Sequence, residues 1–162
     1  MYKLIVLFFI YILFINPTYS KGEYKKDNLS GFKECDDTFP NKITHFTFDP
    51  NPTVKNTTIK FEIGGTSRVP FDKGSYISGM SFRNGDPINF YVQDFCEEWV
   101  EASGEHCPVK PGEFYFKGSQ YLKQTSEDPT DVTLTDYLRL VIASPEGHIR
   151  SCIEGDITTV YL

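Results

Sequence analysis

The sequence has few basic residues and no basic cluster, which argues against a nucleic-acid partner. Lysine and arginine number 16 against 22 aspartate and glutamate residues, and the formal net charge is -6. The longest basic run is Lys25-Lys26. A chain with this charge has no positive field to hold nucleic-acid phosphates or to bind an anionic membrane strongly. We therefore predict no nucleic-acid partner.

The residue patterns of common catalytic and metal sites are also missing. There are three histidines, His45, His106 and His148, and none is spaced to form a metal site or an obvious catalytic base. The sequence contains no Cys-x-x-Cys pair, no Gly-x-Ser-x-Gly elbow and no glycine-rich phosphate loop. We therefore predict a protein that is not an enzyme and that has no metal ion or other cofactor.

Helical periodicity is absent, and period-two alternation takes its place. Ile59, Phe61 and Ile63 alternate with Lys60 and Glu62, and similar short segments recur between turns rich in glycine, proline and asparagine. Aromatic residues make up 15% of the chain, including 14 Phe and 10 Tyr, which favours pleated structure. The pattern predicts an all-β fold, an antiparallel β-sandwich of seven or eight strands with facing apolar sheets.

The first residues are typical of a secretory signal peptide. An unbroken apolar run at residues 4–15 is shorter than the roughly 18 to 20 residues that a membrane anchor needs. We predict a signal peptide at residues 1–20, a flexible leader at residues 21–33 and one folded domain at residues 34–162. A membrane anchor is the alternative for the first segment.

The four cysteines all follow the predicted signal peptide. An even number of cysteines in a secreted chain favours disulfides over metal binding, and four cysteines allow three pairings. Closeness across one turn favours Cys96 with Cys107, which leaves Cys35 with Cys152. By loop-entropy reasoning the longer bond contributes about 4 to 5 kcal/mol and the shorter about 3 kcal/mol.

Two sequons accompany the secretory features. Asn56-Thr57-Thr58 follows a proline-rich turn and is expected to be exposed, while Asn28-Leu29-Ser30 lies in the predicted leader. We predict glycosylation at Asn56 and at Asn28. The protein is expected to be secreted or to reside in the lumen of the endomembrane or lysosomal system.

Several motifs occur together in a defined order. After Cys35 come Phe46-Thr47-Phe48-Asp49-Pro50, then Cys96 and Cys107-Pro108-Val109-x-x-Gly112-x-Phe114-Tyr115, and finally Cys152-Ile153-Glu154. With the signal peptide and the β pattern, this ordered set resembles the ML lipid-recognition family. Its members include the Niemann-Pick type C sterol carrier and fungal phosphatidylglycerol/phosphatidylinositol transfer proteins. The order of cysteines in this family implies the same disulfide pairing.

The resemblance implies an immunoglobulin-like sandwich with a lipid-binding cavity between its sheets, in a monomer that touches membranes transiently. The residues on the apolar phase of their strands would line that cavity: Phe61, Ile63, Met80, Phe82, Phe90, Val92, Phe114, Phe116, Leu138, Leu140 and Ile142. The same side chains could instead interdigitate in a packed core.

The function implied is lipid binding and transfer between membranes. The sequence lacks an extra cysteine pair of the sterol carriers and has a longer segment at residues 118–136, which favours phosphatidylglycerol or phosphatidylinositol slightly over sterol. The alternative is a secreted immunoglobulin-like interaction or adhesion module with a filled core.

The loop between Cys96 and Cys107 contains the only tryptophan, Trp99, beside Val100. Tryptophan in a short loop often covers the edge of a core, which predicts a lid. The alternative hypothesis is that Trp99 and Val100 form an apolar tip that inserts at the membrane interface.

Overall fold

A computed structural model describes residues 28–162, which form two packed β-sheets. The strands are β1 (Lys33–Glu34), β2 (Lys42–Asp49), β3 (Thr53–Val54), β4 (Thr58–Ser67), β5 (Tyr76–Arg83), β6 (Asp86–Asp94), β7 (Gly112–Tyr121), β8 (Val132–Ala143) and β9 (Ile149–Tyr161). A π-helical turn, Cys96–Val100, continues into a 3-10 turn, Glu101–Ser103. The predicted signal peptide and the first part of the predicted leader lie outside the described residues.

The strand order defines a larger and a smaller sheet. The larger sheet runs β1-β9-β8-β5-β6, and β3 pairs with β9 in parallel. The smaller sheet runs β2-β4-β7. Every pairing except that of β3 is antiparallel, so the predicted antiparallel β-sandwich is confirmed. Within residues 28–162, no helix is long and apolar enough to cross a membrane.

Alternation places one face of each central strand in the interior. In β4, Ile59, Phe61 and Ile63 are buried whereas Lys60 is exposed. In β8 the buried series is Leu138, Leu140 and Ile142. The apolar faces of the two sheets meet in one hydrophobic cluster, because removing both faces from water is the main stabilising contribution of such a fold.

Both predicted disulfides are present in the structure. Cys35 is bonded to Cys152, which ties the segment after β1 to β9. Cys96 is bonded to Cys107 across the loop between β6 and β7. The described residues contain no free cysteine.

The ordered domain starts before residue 34, contrary to the predicted end of the leader. Phe32 is buried and packs edge-on against Phe46, with ring centroids 5.0 Å apart. The backbone of Asn28 pairs with β2, since its carbonyl accepts a hydrogen bond of 2.8 Å from the Phe46 amide. A lone phenylalanine among polar residues shows no periodicity, so the sequence pattern does not reveal this contact.

Strand β6 faces the opposite way from the prediction. Phe90 and Val92 are 59% and 52% exposed, and Tyr91 faces the interior instead. The Tyr91 ring lies directly over Gly79 of β5, where a Cβ would overlap the ring. Period two marks Ile88, Phe90 and Val92 as the apolar face of β6, but the space above Gly79 takes the Tyr91 ring and turns that face outward.

Met80 and Phe82 of β5 also point away from the interior. Met80 is the cross-strand partner of the exposed Phe90, and cross-strand partners share a face. Phe82 is paired with Tyr137 of β8, and their ring centroids are 6.5 Å apart on the outer side of the larger sheet. Both side chains are partly buried. The prediction that they line the interior is therefore wrong in this structure.

Candidate functional site

One side of the sandwich is closed by a helical segment instead of a strand. Strands β6 and β7 are terminal strands of their sheets, and the chain between them packs against both. We call residues 96–103 the closing segment. It begins where the Asp94 carboxylate accepts a hydrogen bond of 2.9 Å from the Glu97 amide, and it is buried at Trp99 and Val100.

Ser103 fastens the closing segment to β7. Its Oγ donates to the Trp99 carbonyl and accepts from the Lys117 amide, both at 2.7 Å. The Lys117 amide lies on the edge of β7 away from β4, where it has no strand partner among the described residues. A single hydroxyl thus satisfies one backbone group of the closing segment and one of the sheet edge.

The Trp99 indole is inserted between the two sheets. The residue is 5% exposed, and its rings lie 5.8 Å from the ring of Phe61 and 6.3 Å from that of Phe95. On the β7 side it rests on Gly118, where a Cβ would come within 2.9 Å of two indole atoms. The chain therefore has room for the indole only because residue 118 lacks a side chain.

Burial of Trp99 and Val100 contradicts the hypothesis of an exposed membrane tip. Val100 is fully buried, and both side chains are part of the hydrophobic cluster. The exposed residues of the segment are the acidic Glu97, Glu98 and Glu101 and the small Ala102. The lid interpretation is the one that the structure supports.

Seven of the eleven predicted lining residues do face the interior. They are Phe61, Ile63, Phe114 and Phe116 from the smaller sheet and Leu138, Leu140 and Ile142 from the larger sheet. All seven belong to the hydrophobic cluster that includes Trp99, so the indole and these side chains form one apolar interior. We call it the intersheet interior.

The predicted lining set omits several aromatic residues of this interior, and Phe95 and Tyr91 are two of them. Phe95 is fully buried, and its ring lies 5.1 Å from that of Phe71 and 5.7 Å from that of Phe116. Tyr91 lies over Gly79, and burial raises the pKa of its hydroxyl. A glycine opposite an aromatic residue on a paired strand is a signal that could have identified Tyr91.

An ion pair lies at the end of the intersheet interior near the β5–β6 turn. Arg83 donates to both carboxylate oxygens of Asp136, at 2.7 and 2.9 Å. Asp136 is on the inward phase of β8 and is 6% exposed, whereas the Arg83 side chain is 34% exposed. These hydrogen bonds raise the pKa of the guanidinium above its ordinary value. The rest of the interior is formed by hydrocarbon and aromatic groups.

Both predicted glycosylation residues are exposed in the structure. Asn56 adopts a positive φ of 60° after β3, and its side-chain oxygen accepts a hydrogen bond of 3.0 Å from the Gln124 amide. The Asn28 side-chain oxygen accepts one of 3.1 Å from the Ser30 amide. Among residues 28–162, no three His, Cys, Asp or Glu side chains are grouped to hold a metal ion.

Comparison with known proteins identifies one family over most of the chain. Residues 30–157 match the family model of the ML domain. No curated protein sequence matches the chain.

Several solved structures resemble the fold, among them one from an ant and one from chicken. A Niemann-Pick type C2 protein from Japanese carpenter ant aligns with a TM-score of 0.61 at 15% identity, over 79% of this chain and 98% of that chain. Chicken MD-1, solved in complex with lipid IVa, aligns with a TM-score of 0.50 at 17% identity, over 81% of this chain and 88% of that chain. At these identities the likeness concerns the fold alone.

Proposed function

This chain belongs to the ML domain family of lipid-recognition proteins, and from that premise we propose that it binds the apolar part of a lipid between its two sheets. The observation that carries the proposal is the intersheet interior, which is apolar on both walls and is closed on one side by a short helical segment. Chicken MD-1, which has a related fold, was solved with lipid IVa. No covalent chemistry is required, because binding and release suffice for a carrier.

The closing segment supports this proposal because its attachment to β7 differs from a strand ladder. Ser103 links it to β7 through side-chain hydrogen bonds, and Trp99 contributes apolar contacts. Each hydrogen bond contributes about 1 kcal/mol net. Displacing this segment breaks no strand ladder, although it exposes the buried side chains of Trp99 and Val100. We propose that lipid enters along β7, where Trp99 now fills the space.

The energetics favour an exchange of aromatic for lipid contacts. Removing a 16-carbon chain from a bilayer into water costs on the order of 13 kcal/mol, at about 0.8 kcal/mol per CH2. An apolar slot lined by Phe61, Phe116 and Leu140 would offset most of this cost. Displacing the indole exposes some apolar surface of the protein, so the lipid binds more weakly than burial of its acyl chain alone suggests.

We propose that the lipid is phosphatidylglycerol or phosphatidylinositol, with sterol second, and that the protein transfers it between membranes. The two disulfides suit a secreted or luminal protein, since such compartments are oxidising. They also suit a fold whose interior is shared with a ligand, because they lower the entropy of the unfolded chain.

The experiment uses Trp99 as its reporter, since it is the only tryptophan of the chain. Organic extraction of the purified protein followed by mass spectrometry should identify a bound lipid at about one molecule per protein. Adding that lipid to the delipidated protein should change the Trp99 emission, and a lipid with brominated acyl chains should quench it. Quenching by brominated chains requires the chain to lie near the indole.

The alternative is an interaction module with a filled core, favoured by the dense ring contacts among Phe71, Phe95 and Phe116. An extract free of lipid, together with unchanged Trp99 emission on addition of phosphatidylglycerol, phosphatidylinositol and cholesterol, would support this module and contradict the carrier.

A further inference from the structure

Strand β6 carries an exposed apolar strip on the outer face of the larger sheet. Ile88, Phe90 and Val92 are 45%, 59% and 52% exposed and follow one another at period two. Met80, partly buried, lies beside Phe90 on the same face. We call Ile88, Phe90 and Val92 the outer strip. Isolated exposed apolar residues are ordinary on protein surfaces, but three in a row on one strand form a continuous patch.

The outer strip belongs to a sheet edge that the described chain leaves uncovered. The β7 edge is covered by the closing segment, through Ser103 and Lys117. The β2 edge is paired at one position, by the backbone of Asn28. In contrast, β6 is terminal in its sheet, and no strand within residues 28–162 pairs with its free edge. From Ile88 to Val92 the strand carries no charge and no proline, the usual protections of an exposed edge.

The size and charge of the patch argue against a second copy of the chain as its occupant. At the observed exposures the outer strip presents about 300 Å2, whereas a stable protein interface needs about 800 Å2 from each partner. Antiparallel pairing of two β6 strands about Phe90 would also place Asp86 opposite Asp94 of the other copy. Like charges directly opposite each other in a ladder are destabilising.

The position of the outer strip points to a lipid surface instead. Strand β6 leads directly into the closing segment at Cys96, and the two are in contact. A bilayer that received Ile88, Phe90 and Val92 would therefore lie next to the segment that closes the intersheet interior. We propose that the outer strip is the docking surface of this protein for a zwitterionic phospholipid bilayer. Its use in lipid exchange rests on the proposed function.

Neighbouring charges select the type of bilayer. Asp86 and Asp94 end the strand, and Glu97 and Glu98 are exposed on the closing segment. These carboxylates repel an anionic surface, so the attachment depends on the apolar side chains. Binding should therefore be strongest on phosphatidylcholine and should weaken as phosphatidylglycerol is added to the vesicles.

The test is flotation of the purified protein with phosphatidylcholine vesicles. The variants are Phe90→Ser and Val92→Ser. The matched control is Tyr121→Ser, since Tyr121 is 57% exposed but lies on β7, in the other sheet. Phe90→Ser should lower the partition coefficient of the protein onto the vesicles at least tenfold, because it removes exposed apolar area. Val92→Ser should reduce it severalfold and Tyr121→Ser less than twofold. Circular dichroism checks that each variant is folded.

The outcomes separate this proposal from the proposed function. If the wild type does not float, if Phe90→Ser floats equally well, or if Tyr121→Ser reduces flotation as much as Phe90→Ser, the docking surface is wrong. If Phe90→Ser instead converts a dimer into a monomer in light scattering, a second copy is the occupant and the proposal is overturned. Loss of flotation with unchanged quenching of Trp99 by brominated lipid in solution supports the docking surface. If flotation depends on Phe90, no lipid copurifies and Trp99 emission does not respond to added lipid, the docking surface is supported and the carrier function is contradicted.

Discussion

Gly118→Ala is a direct test of the position of Trp99. A methyl group at residue 118 would lie 2.9 Å from two indole atoms and 3.1 Å from a third. Carbon atoms in favourable contact are about 3.5 to 4.0 Å apart, so the indole must move by about 0.5 to 1 Å. It is held between Phe61 and Phe95, and its own carbonyl is bonded to Ser103. The movement therefore disturbs packing on several sides.

Two opposing contributions determine how much Gly118→Ala changes the free energy of unfolding. Overpacking of a core typically costs 1 to 3 kcal/mol. Replacing glycine by alanine within a strand, at an ordinary φ, raises the free energy of unfolding by about 0.5 to 1 kcal/mol, because the unfolded chain loses conformational freedom. We expect Gly118→Ala to lower the free energy of unfolding by about 1 to 2 kcal/mol. Urea titration followed by circular dichroism measures this change.

Ser119→Ala is the matched control, because Ser119 is the next residue of β7 and is exposed. It should change the free energy of unfolding by less than about 0.5 kcal/mol. The emission of Trp99 should shift in Gly118→Ala and stay unchanged in Ser119→Ala. If Gly118→Ala is as stable as the wild type and its emission is unchanged, Trp99 does not rest on β7 and the description of the closing segment is wrong.

The same variant bears on the proposed entry of lipid. If lipid displaces the indole, a substitution that already strains the indole lowers the cost of displacement, and lipid should bind more tightly by up to tenfold for each 1.4 kcal/mol. Weaker binding by Gly118→Ala, measured by quenching with brominated lipid, would contradict displacement of Trp99.

Further substitutions test the surrounding structure. Ser103→Ala should cost about 1 to 2 kcal/mol and speed hydrogen exchange at the Lys117 amide, and unchanged exchange would contradict the edge contact. Gly65→Ala should prevent folding or cost more than about 3 kcal/mol, because the methyl group would overlap the backbone of β2, and a stable variant would show a wrong register between β2 and β4. Burial raises the pKa of the Glu154 carboxyl, but the hydrogen bonds from Arg139 and Tyr137 and the positive charges of Arg139 and Lys33 together outweigh it, so the pKa lies below its ordinary value. The stability that this shift contributes is present above about pH 4.5 and is lost as the pH falls through the lowered pKa. The difference in the free energy of unfolding between the wild type and Glu154→Gln should therefore shrink in acid. A difference that stays constant with pH would refute the pairing.

The sequence predicts correctly the inward faces of β4, β7 and β8. In β4 and β8, charged or polar residues separate the apolar ones, so Phe61 and Leu140 could be assigned to the interior from period two. The cysteine pairing followed from the closeness of Cys96 and Cys107 in the chain. These are local signals, and the structure agrees with them.

Features that depend on the fit between two elements could not be predicted from the alternation of one strand. The fit of Tyr91 over Gly79 determines the orientation of β6, and the space over Gly118 determines the position of the Trp99 indole. In each case a glycine on one element makes space for an aromatic ring on another element. Period two describes one strand at a time, and it therefore carries no information about which ring occupies which space.

The position of β9 has a consequence for biosynthesis. This strand pairs with β1, β3 and β8 and carries Cys152, so the early parts of the domain are held by a strand that follows all of them in the chain. During translation β1 and β3 have no strand partner until residues 149–161 have left the ribosome. The growing chain must therefore keep Cys35 and one edge of β8 unpaired while it is synthesised, so the Cys35–Cys152 bond and the larger sheet are completed only after the last strand has been made.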